Sequence, residues 1–127
     1  MKIKNEQFGE FEFSEDLLIS FNEGLLGFEE FKKYLLITEE NGIFYWLTSV
    51  DEPEIVFPLF PIRSLQDNFP MEKEMEPFGI VRLDKNPGDI TINLKAPVYL
   101  DQNTKTGMQK IIDSDEYPVS YKLFIQN

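Results

Sequence analysis

The sequence predicts an all-β protein: a small closed or flattened β-barrel of about eight to nine short antiparallel strands with one short helical turn. Three observations lead there. From Ile90 to Leu100, Ile90, Ile92, Leu94, Ala96, Val98 and Leu100 share one face, and Thr91, Asn93, Lys95, Pro97 and Tyr99 share the other. A period of two is that of a strand with one buried face. Short apolar runs recur along the whole chain, separated by clusters of Gly, Pro, Asn and Asp. Asn41-Gly42, set between two such runs, is a hairpin signal.

Ile3 to Phe13 reads as extended, with Phe11 and Phe13 on one parity and Phe8 on the other; Gly9 offers a bulge that switches the face. Leu17 to Phe21 is a short strand ended by the turn signal Asn22-Glu23-Gly24. Phe28 to Lys33 reads as the helical turn. Tyr34 to Thr38 and Ile43 to Val50 form the next strand pair. Ile43 to Leu47 is apolar on both parities, so that strand is expected to be central, with Trp46 in or near the core. Ile55 to Phe60 is extended and interrupted by Pro58. Residues 63–78 are the least regular stretch and read as a loop, mobile or facing a partner. Gly79 to Leu83 is a strand, Asn86-Pro87-Gly88 a turn, and Met108 to Ile112 the last strand. In the Ile90–Leu100 strand, Pro97 cannot donate to a ladder, so an edge position or a bulge is expected there.

A chain of 127 residues is long enough for one domain with a single core, and residues 1–127 are read as one unit. Twelve phenylalanines argue against a disordered polymer. No apolar run approaches a membrane span, the N-terminus lacks the hydrophobic stretch of a secretory signal, and cysteine is absent. A soluble, cytoplasmic, monomeric protein is expected. The net charge is −11 and uneven: residues 39–76 hold nine acids against two bases, whereas residues 77–127 hold six of each. Direct nucleic-acid binding is disfavoured, and a basic protein partner is favoured. Acidity of this kind also serves plain solubility.

Catalysis finds little purchase. Histidine and cysteine are missing, no serine sits in a nucleophile elbow, and no phosphate or dinucleotide loop occurs. Paired carboxylates such as Asp51 and Glu54 leave open a carbohydrate- or small-ligand-binding β domain. Asp113-Ser114-Asp115-Glu116 lacks the spacing of a calcium loop and reads as a solvated turn. No enzyme activity, cofactor or metal is expected.

Several stretches, in order, resemble the flagellar assembly factor FliW family over nearly the whole chain. They are Phe8-Gly9-Glu10-Phe11 with Ile19-Ser20-Phe21, Gly24-Leu25-Leu26-Gly27-Phe28, Phe44 to Val50 with the acidic turn Asp51-Glu52-Pro53-Glu54, Asn93 to Val98 (the family's Asn-Leu-x-Ala-Pro) and Gly107 to Ile112 (its Gly-x-Gln-x-Ile). The resemblance implies a non-catalytic β-barrel that binds flagellin in the cytoplasm. It also implies, as in many members, binding of CsrA, a small basic translational regulator, by partner switching. The chain departs from the pattern at Leu26, where Pro is usual, which should loosen the turn. It departs again at Thr48, where Gln is common, in a short 60–79 segment, and in a tail without the usual Arg or His.

On that reading, three groups of residues are candidates for partner contact. Asn93 and Lys95 form a polar row presented by the alternating strand, unless they are simply its solvent face. Glu52, Glu54, Glu72, Glu74 and Glu76 form an acidic surface for a basic protein, unless they are solvated loop charges. Phe60 and Phe69, with Phe57 and Phe78, line a groove for an amphipathic flagellin helix, unless they are core.

Overall fold

Short strands separated by tight turns make up the computed structural model, which describes residues 1–124. β1 (Lys2–Asn5) and β2 (Gly9–Glu12) form a hairpin of their own. Where a bulge was expected, the backbone reverses. Gly9 takes φ +73°, Asn5 Oδ1 accepts the Phe8 N–H at 2.6 Å, and the Phe8 ring meets Trp46 edge-on. A positive φ costs glycine little.

β3 (Ile19–Phe21), β4 (Lys33–Thr38), β5 (Tyr45–Ser49), β6 (Val56–Pro61) and β7 (Glu76–Arg82) follow, each antiparallel to the one before. β5 is central, as its apolar character predicts: Leu47 is fully buried on one face, and Trp46 packs against Phe8 and Phe44 on the other. Asn41, at φ +64°, closes the β4–β5 turn. The helical turn expected over Phe28 to Lys33 is instead a hydrogen-bonded turn, closed by the Phe31 N–H on Phe28 O at 3.1 Å, and Lys33 already begins β4. Among the described residues, 3-10 turns lie at Glu15–Leu17 and Ile62–Ser64, without a clear sequence signal, and at Pro87–Asp89, where Asn86-Pro87-Gly88 predicts a turn.

β8 (Thr91–Ile92), β9 (Val98–Asp101), β10 (Thr106–Gln109) and β11 (Tyr121–Lys122) complete the described strands. β7, β6, β5, β4, β3, β10 and β9 pair in that order, and β9 pairs back onto β7, so seven strands close a barrel. The expected barrel is present, with one correction to its pairing. β3 and β10 run parallel, through Ser20 with Thr106 and Phe21 with Gly107. They are far apart in sequence, so no hairpin dictates their relative direction. Asp101 builds the β9–β10 turn. Its carboxylate accepts the N–H groups of Thr104 and Asn103, which hold its pKa below the ordinary aspartate value.

The single strand expected from Ile90 to Leu100 is interrupted. β8 and β9 lie end to end along the same side of β7, with Ile92 opposite Val81 and Val98 opposite Phe78. From 92 to 98 is six steps and from 81 to 78 is three, so three residues are in excess and the segment 93–97 bows out. Asn93 makes the break: its Oδ1 accepts the N–H groups of Lys95 at 2.9 Å and Ala96 at 3.0 Å, offering the backbone an alternative to the ladder. Pro97 therefore marks a bulge rather than an edge, since β9 has neighbours on both sides.

An odd excess exchanges faces. Before the break Ile90, Ile92 and Leu94 face an outer core with Ile62, Phe69, Val81 and Leu123. After it Val98 and Leu100 face the barrel interior with Phe21, Tyr34, Leu47 and Leu59. Gly79 lies where the bow presses on β7. A Cβ there would come within 2.6 Å of Ile92 Cδ1 and 2.9 Å of Asn93 O. Residues 110–124 strap the outer core, through the Ile112 N–H on Lys95 O, the Leu94 N–H on Pro118 O and the Leu123 N–H on Ile90 O, at 2.8, 3.0 and 3.1 Å.

Two predictions follow from this packing. Gly79→Ala should destabilise the protein by about 1–3 kcal/mol, because a backbone oxygen has to give way. A melting temperature equal to the parent's would show that the bow is not packed against β7. Burial also pushes the hydroxyls of Tyr34 and Tyr99 up to about 12, with Glu72 and then Tyr117 adding to the effect at Tyr99. The folded state thus keeps protons that the unfolded state releases near pH 10, and stability should fall as pH rises from about 10 towards 12. Phenolate absorbance should show Tyr34 and Tyr99 ionising late; ionisation of both near pH 10 would contradict this.

Candidate partner-binding surface

Three of the sequence stretches singled out above converge on Gln109. Its Oε1 accepts the Leu26 N–H at 2.8 Å, and its Nε2 donates to Ala96 O at 2.9 Å. One amide therefore ties the Gly24–Phe28 turn, β10 and the bowed 93–97 segment together. That Leu26 is not proline matters here, because proline has no N–H to donate. The bond from the Leu26 N–H holds the turn at its middle residue. Gly24 at φ +69° and Gly27 at φ +85° shape it, and the Gly27 N–H donates to Glu29 Oε2 at 3.2 Å.

β3 and β10 pair only as far as Phe21 and Gly107, and then separate. A cleft of about 450 Å³ opens at that parting, lined by the 22–29 turn on one side and Gly107–Gln109 on the other. Among the residues lining it are Glu23 and Glu29, the amide of Asn22, and the apolar side chains of Leu26 and Met108; none is basic. The sequence marks these stretches as motifs but gives Gln109 no role. A side-chain tie between two loops distant in sequence leaves no local periodicity to detect.

The candidate residues are scattered by comparison. Lys95 and Asn93 do not form an outward row. Lys95 Nζ donates to Ile112 O at 3.2 Å, Asn93 builds the bow, and Tyr99, placed on the same row, is fully buried with its hydroxyl on Pro70 O at 3.0 Å. The cause is the bow, which takes Asn93 and Lys95 out of the ladder and, by exchanging faces, brings Tyr99 beneath the 63–76 loop. Phe69 is buried against Tyr117, with ring centroids 4.8 Å apart, and Phe60 is half-buried beside Phe44. Phe78 is buried in the barrel, and Phe57 packs on Phe28. The four rings belong to two cores and make no common groove.

The acids divide by role. Glu72 pairs with Lys110, and Glu76 with Arg63 at 3.2 Å, which pins the loop expected to be mobile. Glu54 Oε1 accepts the Glu6 N–H at 3.1 Å and so helps dock the N-terminal hairpin. Glu52 is exposed beside it, and Glu74 is exposed in the tight Glu72–Met75 turn, where Lys73 takes φ +54°. Thr48, shorter than the usual Gln, is fully buried and donates to Pro53 O at 3.0 Å.

This architecture and these motifs agree with known proteins. The family model described as FliW protein matches residues 2–123. The chain is 36% identical over 144 residues to the flagellar assembly factor FliW of Lachnospira eligens, covering 98% of this chain and 95% of that one. It is 36% identical to that of Carboxydothermus hydrogenoformans (97% and 89% covered) and 34% identical to that of Clostridium kluyveri (98% and 96%). A crystal structure of the flagellar assembly factor FliW superposes with a TM-score of 0.89 over 99% of both chains, at 24% identity, and shares the fold. The chain belongs to the FliW family of flagellar assembly factors.

Proposed function

We propose that this assembly factor works in the cytoplasm as a monomer that holds unpolymerised flagellin in a chaperone-like complex and, in flagellin's place, a basic translational regulator of the CsrA type. Nothing is turned over. Family membership across residues 2–123 carries the reading. Charge supports it physically: nine of the acids lie in residues 39–76, and Glu52, Glu54 and Glu74 stand there on exposed turns. Such a field speeds encounter with a basic protein and repels nucleic acid. Mutually exclusive binding then makes export of flagellin the signal. While flagellin occupies the factor, the regulator represses; once flagellin leaves, the factor takes the regulator and translation resumes.

Two experiments test this. Purified protein mixed with monomeric flagellin at micromolar concentration should form a stable complex on size exclusion, and added flagellin should displace a bound CsrA-type protein without a ternary species. No complex, or a ternary one, would overturn the reading. Glu52→Gln with Glu74→Gln should slow association with the basic partner about three- to tenfold at low salt and change dissociation much less. Unaltered association would remove both turns from the encounter surface. Glu72 and Glu76 are left intact because their loss would unpin the loop.

A further inference from the structure

We propose that the cleft between the 22–29 turn and β10 is a seat for an arginine side chain displayed by a partner protein. This goes beyond the flagellin and regulator reading and does not depend on which protein brings the arginine. A volume of about 450 Å³ is in the range of preformed small-ligand pockets and exceeds what one side chain fills, leaving room for its flanking backbone.

The walls are preorganised. Gln109 has both ends of its amide engaged, on Leu26 and on Ala96. The turn is packed so closely that a Cβ on Gly24 would lie 2.6 Å from the Glu29 Cα. A seat that does not rearrange loses little on binding.

The lining selects the occupant. Leu26, 48% exposed, and Met108 offer an apolar bed for an aliphatic stem. Glu23 and Asn22 supply acceptors beside it. Glu29 commits one oxygen to the Gly27 N–H and keeps the other available. With no basic residue lining the cleft, an anion would meet only like charge. A guanidinium has five donors in a flat fork that several acceptors can share, and it is less strongly hydrated than an ammonium, so arginine fits better than lysine.

The test is a titration of the ¹⁵N-labelled full chain with N-acetyl-L-arginine amide, followed by NMR. Saturable shifts should appear at the amides of Gly24, Leu26, Gly107 and Met108, with a dissociation constant of about a millimolar, as expected of one weak anchor. N-acetyl-L-citrulline amide, the uncharged isostere, should produce none, and the lysine analogue should bind several-fold more weakly. Glu23→Gln with Glu29→Gln should weaken arginine binding by at least about tenfold, since charge-assisted bonds become neutral ones. Glutamine at 29 still accepts from Gly27, so the remaining spectrum should be unchanged and report an intact fold. Equal binding of citrulline or lysine would overturn the assignment, as would shifts centred on Glu52 or Glu74, or indifference to the double substitution.

Discussion

The chain depends on a three-residue excess opposite β7. If β8 and β9 were one continuous strand, its even-numbered apolar residues would all face the same side, and only one core could form. The bow at 93–97 lets Ile92 face outward and Val98 inward on the same length of β7. One seam strand then does two jobs. Its first half closes the barrel with β9, and its second half carries β8, on which β11 of the C-terminal strap pairs in turn. Asn93 and Gly79 meet the local requirements, one by satisfying two backbone donors, the other by leaving out a side chain.

What lies near the seam is fixed in consequence. The bow presents Ala96 O to Gln109, and Gln109 in turn holds the 26–27 turn, so a break in one strand sets the shape of a cleft on the far side of β10. Lys95 reaches from the bow to the strap, and Tyr99 in β9 and Lys110 just after β10 reach to the 63–76 loop. These ties are mostly hydrogen bonds of about 1 kcal/mol each, and the exposed ion pairs contribute less. Together they join elements that share no ladder. A protein that presents one surface to alternative partners benefits from such rigidity, because little is lost in ordering that surface.

Most of the fold was legible in the sequence because strand period and turn residues are local signals. Leu47, Trp46 and the Asn41-Gly42 turn behave as their neighbours in sequence imply. The run from Ile90 to Leu100 shows where locality stops. Its alternation is unbroken by letter, yet Asn93 can act as a backbone mimic, and only pairing with β7 decides that it does. Whether Phe69 belongs to a groove or to a core is open in the sequence for the same reason: an aromatic residue in an irregular segment gives no hint that Tyr117, far along the chain, closes over it. The parallel β3–β10 pair and the role of Gln109 join segments more than eighty residues apart, which no window along the chain can register.

Native-state hydrogen exchange at Lys95 and Ala96 examines the seam most directly. If the bow is a built feature, these two amides exchange as slowly as those of β9 despite lying outside any ladder, and replacing Asn93 by alanine releases them while the amides of β4 and β5 stay protected. Exchange in the parent as fast as at the exposed 84–86 turn would mean that the bow is slack, and that neither the face exchange nor the cleft rests on it.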